Sequence, residues 1–147
     1  MPDVADAEPE VLTAALDRLL PRNEELPPAG QMGLARAVLD DAATSPPLAA
    51  ALATVMQRLP ESFGELNWEA QDEALRAVEA TQPRAFAGLI NLAYTAYYTD
   101  ARVLGFIARR TGYEPRPPQP KGYQLTAFDD RLLEKASRRA ALWRKVD

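Results

Sequence analysis

Proline decides where this chain can be helical. Thirteen prolines stand between stretches in which apolar residues recur at helical spacing, and proline stops a helix or opens one but does not sit inside it. Val11, Leu12, Ala15, Leu16, Leu19 and Leu20 form a first stripe that halts at Pro21. Residues 21 to 30 hold three prolines and read as a loop, after which Met32, Leu34, Ala35, Val38 and Leu39 predict a short second helix. Ser45 before Pro46 is a capping residue before a proline start, and Leu48, Leu52, Val55, Met56 and Leu59 make one face of a third helix, closed by Pro60. Asn67 can cap a fourth, with a Trp68, Leu75, Val78 stripe and Glu69, Asp72 and Glu73 where the helix dipole favours acids; Thr81 and Gln82 break it.

A fifth helix opens at Pro83, and its series Phe86, Leu89, Ile90, Ala93, Tyr94, Tyr97 is the cleanest periodicity in the chain. It is expected at the centre of the core, with Phe86, Leu89, Ile90, Ala93 and Tyr94 among the most buried side chains. Asp100 is placed to cap a sixth helix carrying Val103, Leu104, Phe106 and Ile107, which Arg109, Arg110 and Gly112 end. Residues 113 to 123 contain four prolines within six positions, forbid helix and favour an extended polyproline conformation. Thr126 with Asp129 can start a last helix, apolar along Leu132, Leu133, Ala136, Ala140 and Trp143 and basic on the other side. No segment sustains strand-like alternation. The expected fold is all-α: a single-domain orthogonal bundle of six or seven helices over residues 9–147, with a long proline-rich loop before the last helix and a disordered tail at residues 1–8.

Function is bounded chiefly by what the 147 residues lack. There is no Cys and no His, which removes disulfides, thiolate metal sites, thiol nucleophiles, imidazole bases and the commonest zinc ligand. The seven glycines are dispersed, and neither G-x-G-x-x-G nor G-x-x-x-x-G-K-[ST] occurs. Carboxylates remain: Asp40 with Asp41, and Asp129 with Asp130, could hold a cation, although adjacent acids at helix ends are usually solvated or capping. Tyr94, Tyr97 and Tyr98 pack as core aromatics with hydroxyls at the rim, or form a ligand-stacking box. No cofactor, no metal and no enzymatic activity of its own are expected.

Net charge is −4, unevenly spread. Residues 1 to 80 hold 5 Lys/Arg against 15 Asp/Glu and residues 81 to 147 hold 12 against 6, giving −10 and +6. Such halves attract each other or an acidic partner. The basic last helix, on an acidic chain without a nucleic-acid fold signature, does not predict nucleic-acid binding. The longest apolar windows, 48 to 59 and 86 to 98, fall short of the roughly 20 residues that span a bilayer, and no direct membrane insertion is expected. The N-terminus shows neither a basic n-region nor an apolar h-region, so the chain as written is expected in the cytoplasm.

The run Ala-Tyr-Tyr-Thr-Asp-Ala-Arg-Val-Leu at 96–104, followed by Thr-Gly-Tyr-Glu-Pro-Arg-Pro-Pro-Gln-Pro-Lys-Gly-Tyr at 111–123, resembles the C-terminal hallmark of the gluconate 2-dehydrogenase subunit 3 family. The Leu19-Leu20-Pro21 step matches the end of that family's opening helix. Glu114-Pro115 stands where the family has small or glycine-containing residues, and the family's frequent twin-arginine leader is not seen. The resemblance implies a small, non-catalytic, cofactor-free accessory subunit. Its implied partner is the flavoprotein large subunit of a sugar, gluconate or alcohol dehydrogenase, which it helps to assemble or export, with a cytochrome subunit as a further member of the complex. It also implies a periplasmic location if a leader was removed or the partner carries one. The partner-facing surface is then expected on Tyr97, Tyr98, Asp100, Arg102, Tyr113, Pro117, Pro118, Lys121 and Tyr123. The alternative is a stand-alone module binding a small ligand or another protein.

Overall fold

A computed structural model describes residues 9–114 and 127–139. Among them there is no strand, and the fold is an all-α bundle. The chain divides into two compact units, Met1–Pro115 and Arg116–Asp147.

In the first unit the helices are α1 (Pro9–Leu19), α2 (Ala35–Ala43), α3 (Pro46–Met56), α4 (Trp68–Thr81), α5 (Pro83–Thr99) and α6 (Ala101–Thr111), with a 3-10 helix at Glu61–Glu65. Prolines punctuate them as expected, Pro46–Pro47 opening α3 and Pro83 opening α5. The Asn67 side chain accepts from the Ala70 amide at 3.0 Å and so caps α4. Ser45 stands at the α3 N-cap with extended backbone, yet its hydroxyl makes no capping bond. Two boundaries shift. The turn at 29–34, left-handed at Gly33 (φ 78°), holds Met32 and Leu34 outside the helix, so α2 starts at Ala35. The third helix finishes at Met56, and Leu59 reaches the core from the turn that leads to Pro60.

The longest helix among the described residues, α5, occupies the centre and packs on α2, α3, α4 and α6. Its buried arc is rotated from the expected one. Phe86, Leu89 and Ala93 are buried as predicted, but Leu92 and Ala96 complete the arc, Ile90 and Tyr97 are half-buried, and Tyr94 is 48% exposed. Close approach of α3 explains the rotation: a Cβ on Gly88 would lie 2.6 Å from the Ala51 Cβ. Small residues face α3 at that crossing, and the phenol rings turn outward. Leu12, Leu16, Val38, Leu52, Val55, Phe63, Leu89 and Val103 interlock in the same cluster. No polar or charged residue is buried among the described residues.

Two aromatic residues exchange the roles the periodicity suggests. Trp68, expected in the α4 stripe, is 67% exposed, and the Arg18 guanidinium lies 4.0 Å from its ring centroid while donating to Asp72 at 2.7 Å. Phe63, in a segment without helical periodicity, is fully buried and is the largest fully buried side chain among the described residues.

In the second unit, Asp129 caps a 3-10 helix, Asp130–Leu133, by accepting from the Arg131 amide, and α7 follows at Glu134–Ser137. The expected amphipathic last helix is therefore shorter and mixed in type over these residues. Leu132 and Leu133, predicted on its apolar face, are exposed at 71% and 51%, and Ala136 is exposed as well. Thr126, Ala140 and Trp143 lie outside the described residues.

Candidate functional site

The residues of the Tyr-Tyr-Thr-Asp step form the corner between α5 and α6. Thr99 ends α5 with its hydroxyl donating back to the Thr95 carbonyl at 2.7 Å. Asp100 then leaves helical geometry (φ −67°, ψ 130°) and accepts from the Arg102 amide at 2.8 Å, capping α6. Arg102 grips the same carboxylate with two further bonds, Nε to Oδ1 at 2.9 Å and Nη2 to Oδ2 at 2.7 Å, and its Nη2 also donates to the Met32 carbonyl at 2.8 Å. The guanidinium hydrogen bond holds the Asp100 carboxyl below the usual carboxylate range and, reciprocally, raises Arg102. Asp100 and Arg102 are thus a brace tying the start of α6 to the turn before α2.

Tyrosine supplies the outward part of the corner. The Tyr98 ring stands edge-on to both neighbours, 5.9 Å from Tyr94 at 81° and 5.3 Å from Tyr97 at 89°, a favourable aromatic arrangement. Tyr97 leans on the core, and burial pushes its phenol above the ordinary value, with Tyr98 adding to the shift. Tyr94 and Tyr98 are about half-exposed. The periodicity of α5 places Tyr94 in the core; instead, together with Ala87 and Asn91, also exposed, it forms an outward stripe along α5.

Tyr113 is exposed at the opposite end of α6, just past Gly112, whose left-handed backbone (φ 72°) ends the helix. Eleven residues at about 1.5 Å each put roughly 16 Å between the Asp100 corner and this end. The residues expected to share one surface therefore fall into two groups, Tyr97, Tyr98, Asp100 and Arg102 at one end and Tyr113 at the other. Pro117, Pro118, Lys121 and Tyr123 lie outside the described residues.

The C-terminal end of α6 is held by charge. Arg109 Nη2 bonds Glu25 at 2.8 Å and Arg110 Nη2 bonds Glu24 at 3.0 Å. The uneven charge of the two sequence halves is here partly used inside the first unit. Nothing in the sequence paired these residues, which lie 84 and 86 positions apart. The loop supplying the glutamates borders a polar depression of about 300 Å³ lined by Arg22 to Pro28 and Gln31. Of the carboxylates considered for a cation, Asp40 pairs with Arg36 and Asp129 with Arg131. Among the described residues no group of three or more carboxylates is placed to hold a metal, and no helix is long and apolar enough to cross a membrane.

No family model, curated protein or solved structure matches this chain.

Proposed function

We propose that this protein is a non-catalytic accessory subunit that binds a flavin-dependent sugar or gluconate dehydrogenase large subunit and assists its assembly or export, with a cytochrome as a further member of the complex. The observation that carries the reading is the half-exposed Tyr94–Tyr98 pair beside the braced Asp100. Tyrosine is enriched where protein surfaces meet, because its ring buries a large apolar area with little side-chain freedom to lose, and its hydroxyl stays satisfied at a wet rim. The resemblance of residues 96–104 and 111–123 to the accessory-subunit hallmark names the class of partner.

Copurification of the tagged chain from its native host tests this. A flavoprotein large subunit should come with it, and Tyr94→Ala/Tyr98→Ala should lose that subunit while keeping wild-type helicity, since exposed positions carry little folding energy. The purified chain alone should oxidise no sugar or alcohol with artificial acceptors. Turnover that survives further purification would overturn the reading.

A further inference from the structure

We infer that α6 is a salt-latched flap, held closed by the Arg109–Glu25 and Arg110–Glu24 pairs and opening from the bundle as one unit when those pairs are screened. Burial is unevenly distributed among the helices of the first unit. Five residues of α5 are buried, three each of α2 and α3, and two of α4, but of α6 only Val103. Leu104, Phe106 and Ile107 are half-buried, the last two against the core, so among the described residues α6 has fewer buried side chains than any other α-helix of the first unit, α1 having Val11, Leu12, Ala15 and Leu16. Elements with few buried apolar contacts are those that open below the global unfolding free energy.

Cap geometry makes the opening unit self-contained. Asp100 satisfies an amide at one end and Gly112 closes the other, so α6 can separate without exposing new unpaired backbone at its termini. The extended backbone of Asp100 between two helices is the natural hinge. Near it, the Arg102 bond to the Met32 carbonyl anchors the first turn. At the far end, two arginines on successive residues engage two glutamates on successive residues, with side chains 62% and 53% exposed on α6 and 44% and 75% exposed on the loop. The glutamates have a firm base: the Asn23 side chain accepts from the Glu25 and Leu26 amides, and Leu26 is buried. Pairs so exposed respond to ionic strength, as the Debye length falls from about 10 Å at 0.1 M to about 3 Å at 1 M salt. Opening would carry Tyr113 outward and uncover the apolar surface beneath Val103. Opening of α6 requires no partner protein.

Hydrogen–deuterium exchange of the full chain, read by mass spectrometry at 0.1 M and 1 M NaCl, tests it. Peptides covering 101–112 should exchange faster than those covering 86–96 at both salts. Raising the salt should speed the α6 peptides by about three- to tenfold, the factor that two surface ion pairs supply, while the α5 peptides hold constant. Glu24→Lys/Glu25→Lys should exchange fast at low salt with little further response, and adding Arg109→Glu/Arg110→Glu should restore slow, salt-sensitive exchange. If the loop variant does not fold, Arg109→Gln/Arg110→Gln asks the same question from the helix side. Equal protection of α5 and α6, a salt effect common to both, or a fourfold variant that fails to restore protection would each overturn the flap.

Discussion

Single side chains in this protein do work that their spacing does not announce. Phe63 follows Pro60 in a five-residue 3-10 helix too short to show periodicity, yet it is fully buried among the helices. Phe63→Ala is therefore expected to cost about 3–5 kcal/mol, read as a lower midpoint in urea with the slope unchanged. A loss below about 1 kcal/mol would show that the site collapses around the smaller residue. Trp68 is the converse, since tryptophan at the first position of an amphipathic helix reads as core. Here its ring is a platform for Arg18, whose guanidinium also donates to Asp72. That pairing spans 54 residues, and no local pattern in a single sequence encodes a partner so distant.

At the scale of elements the legible features are those fixed within one or two turns. Proline starts, the Asn67 and Asp100 caps and the Gly112 stop all stand where local chemistry puts them, because each depends on residues two to four positions away. The rotation of α5 was not legible: it is set by α3 pressing on Gly88, and a hydrophobic stripe that includes tyrosine does not say which edge a neighbour will choose. The candidate site divides in the same way. Its corner, Tyr97 to Arg102, is local and could be located from the sequence, whereas the Arg102 bond to Met32 and the arginine–glutamate pairs are tertiary. Two arginine-paired carboxylates, Asp100 at the corner and Asp72 on α4, set a pH response. Hydrogen bonds from Arg102 and Arg18 lower the folded-state pKa values of Asp100 and Asp72 respectively. Each carboxylate then contributes stability that is fully present above its unfolded value of about 3.9 and is lost as pH falls through the lowered folded value. Asp100→Asn keeps a capping side chain but removes the titration. Its stability deficit against wild type should be greatest above about pH 4 and close as the solution is acidified further. A deficit independent of pH, measured by urea unfolding across that range, would show that the Asp100 charge contributes nothing.

For the molecule as a whole, the division of the chain into units Met1–Pro115 and Arg116–Asp147 lets truncation test what each contributes. Among the described residues, every member of the buried core cluster lies between Val11 and Val103, and so do the helices that pack around α5 except the tail of α6. A chain ended after Glu114 should consequently keep its cooperative transition, with a thermal midpoint within about 4 °C of the full chain, the shift that about 1 kcal/mol produces in a unit of this size. A larger fall would mean that residues 115–147 stabilise the first unit directly. The same truncated chain also separates two versions of the binding proposal. It retains Tyr94, Tyr98, the Asp100–Arg102 brace and Tyr113, and it lacks the proline-rich run with Pro117, Pro118, Lys121 and Tyr123. If it still captures the flavoprotein, the tyrosine corner is sufficient, and Tyr94→Ala/Tyr98→Ala in the truncated background should abolish what remains. If capture is lost while the midpoint holds, the decisive contacts lie beyond residue 114. The corner then serves to orient α6, and restoring residues 115–126 alone should recover binding if the proline run is the contact, because a proline-rich sequence has little conformational entropy to surrender when it docks.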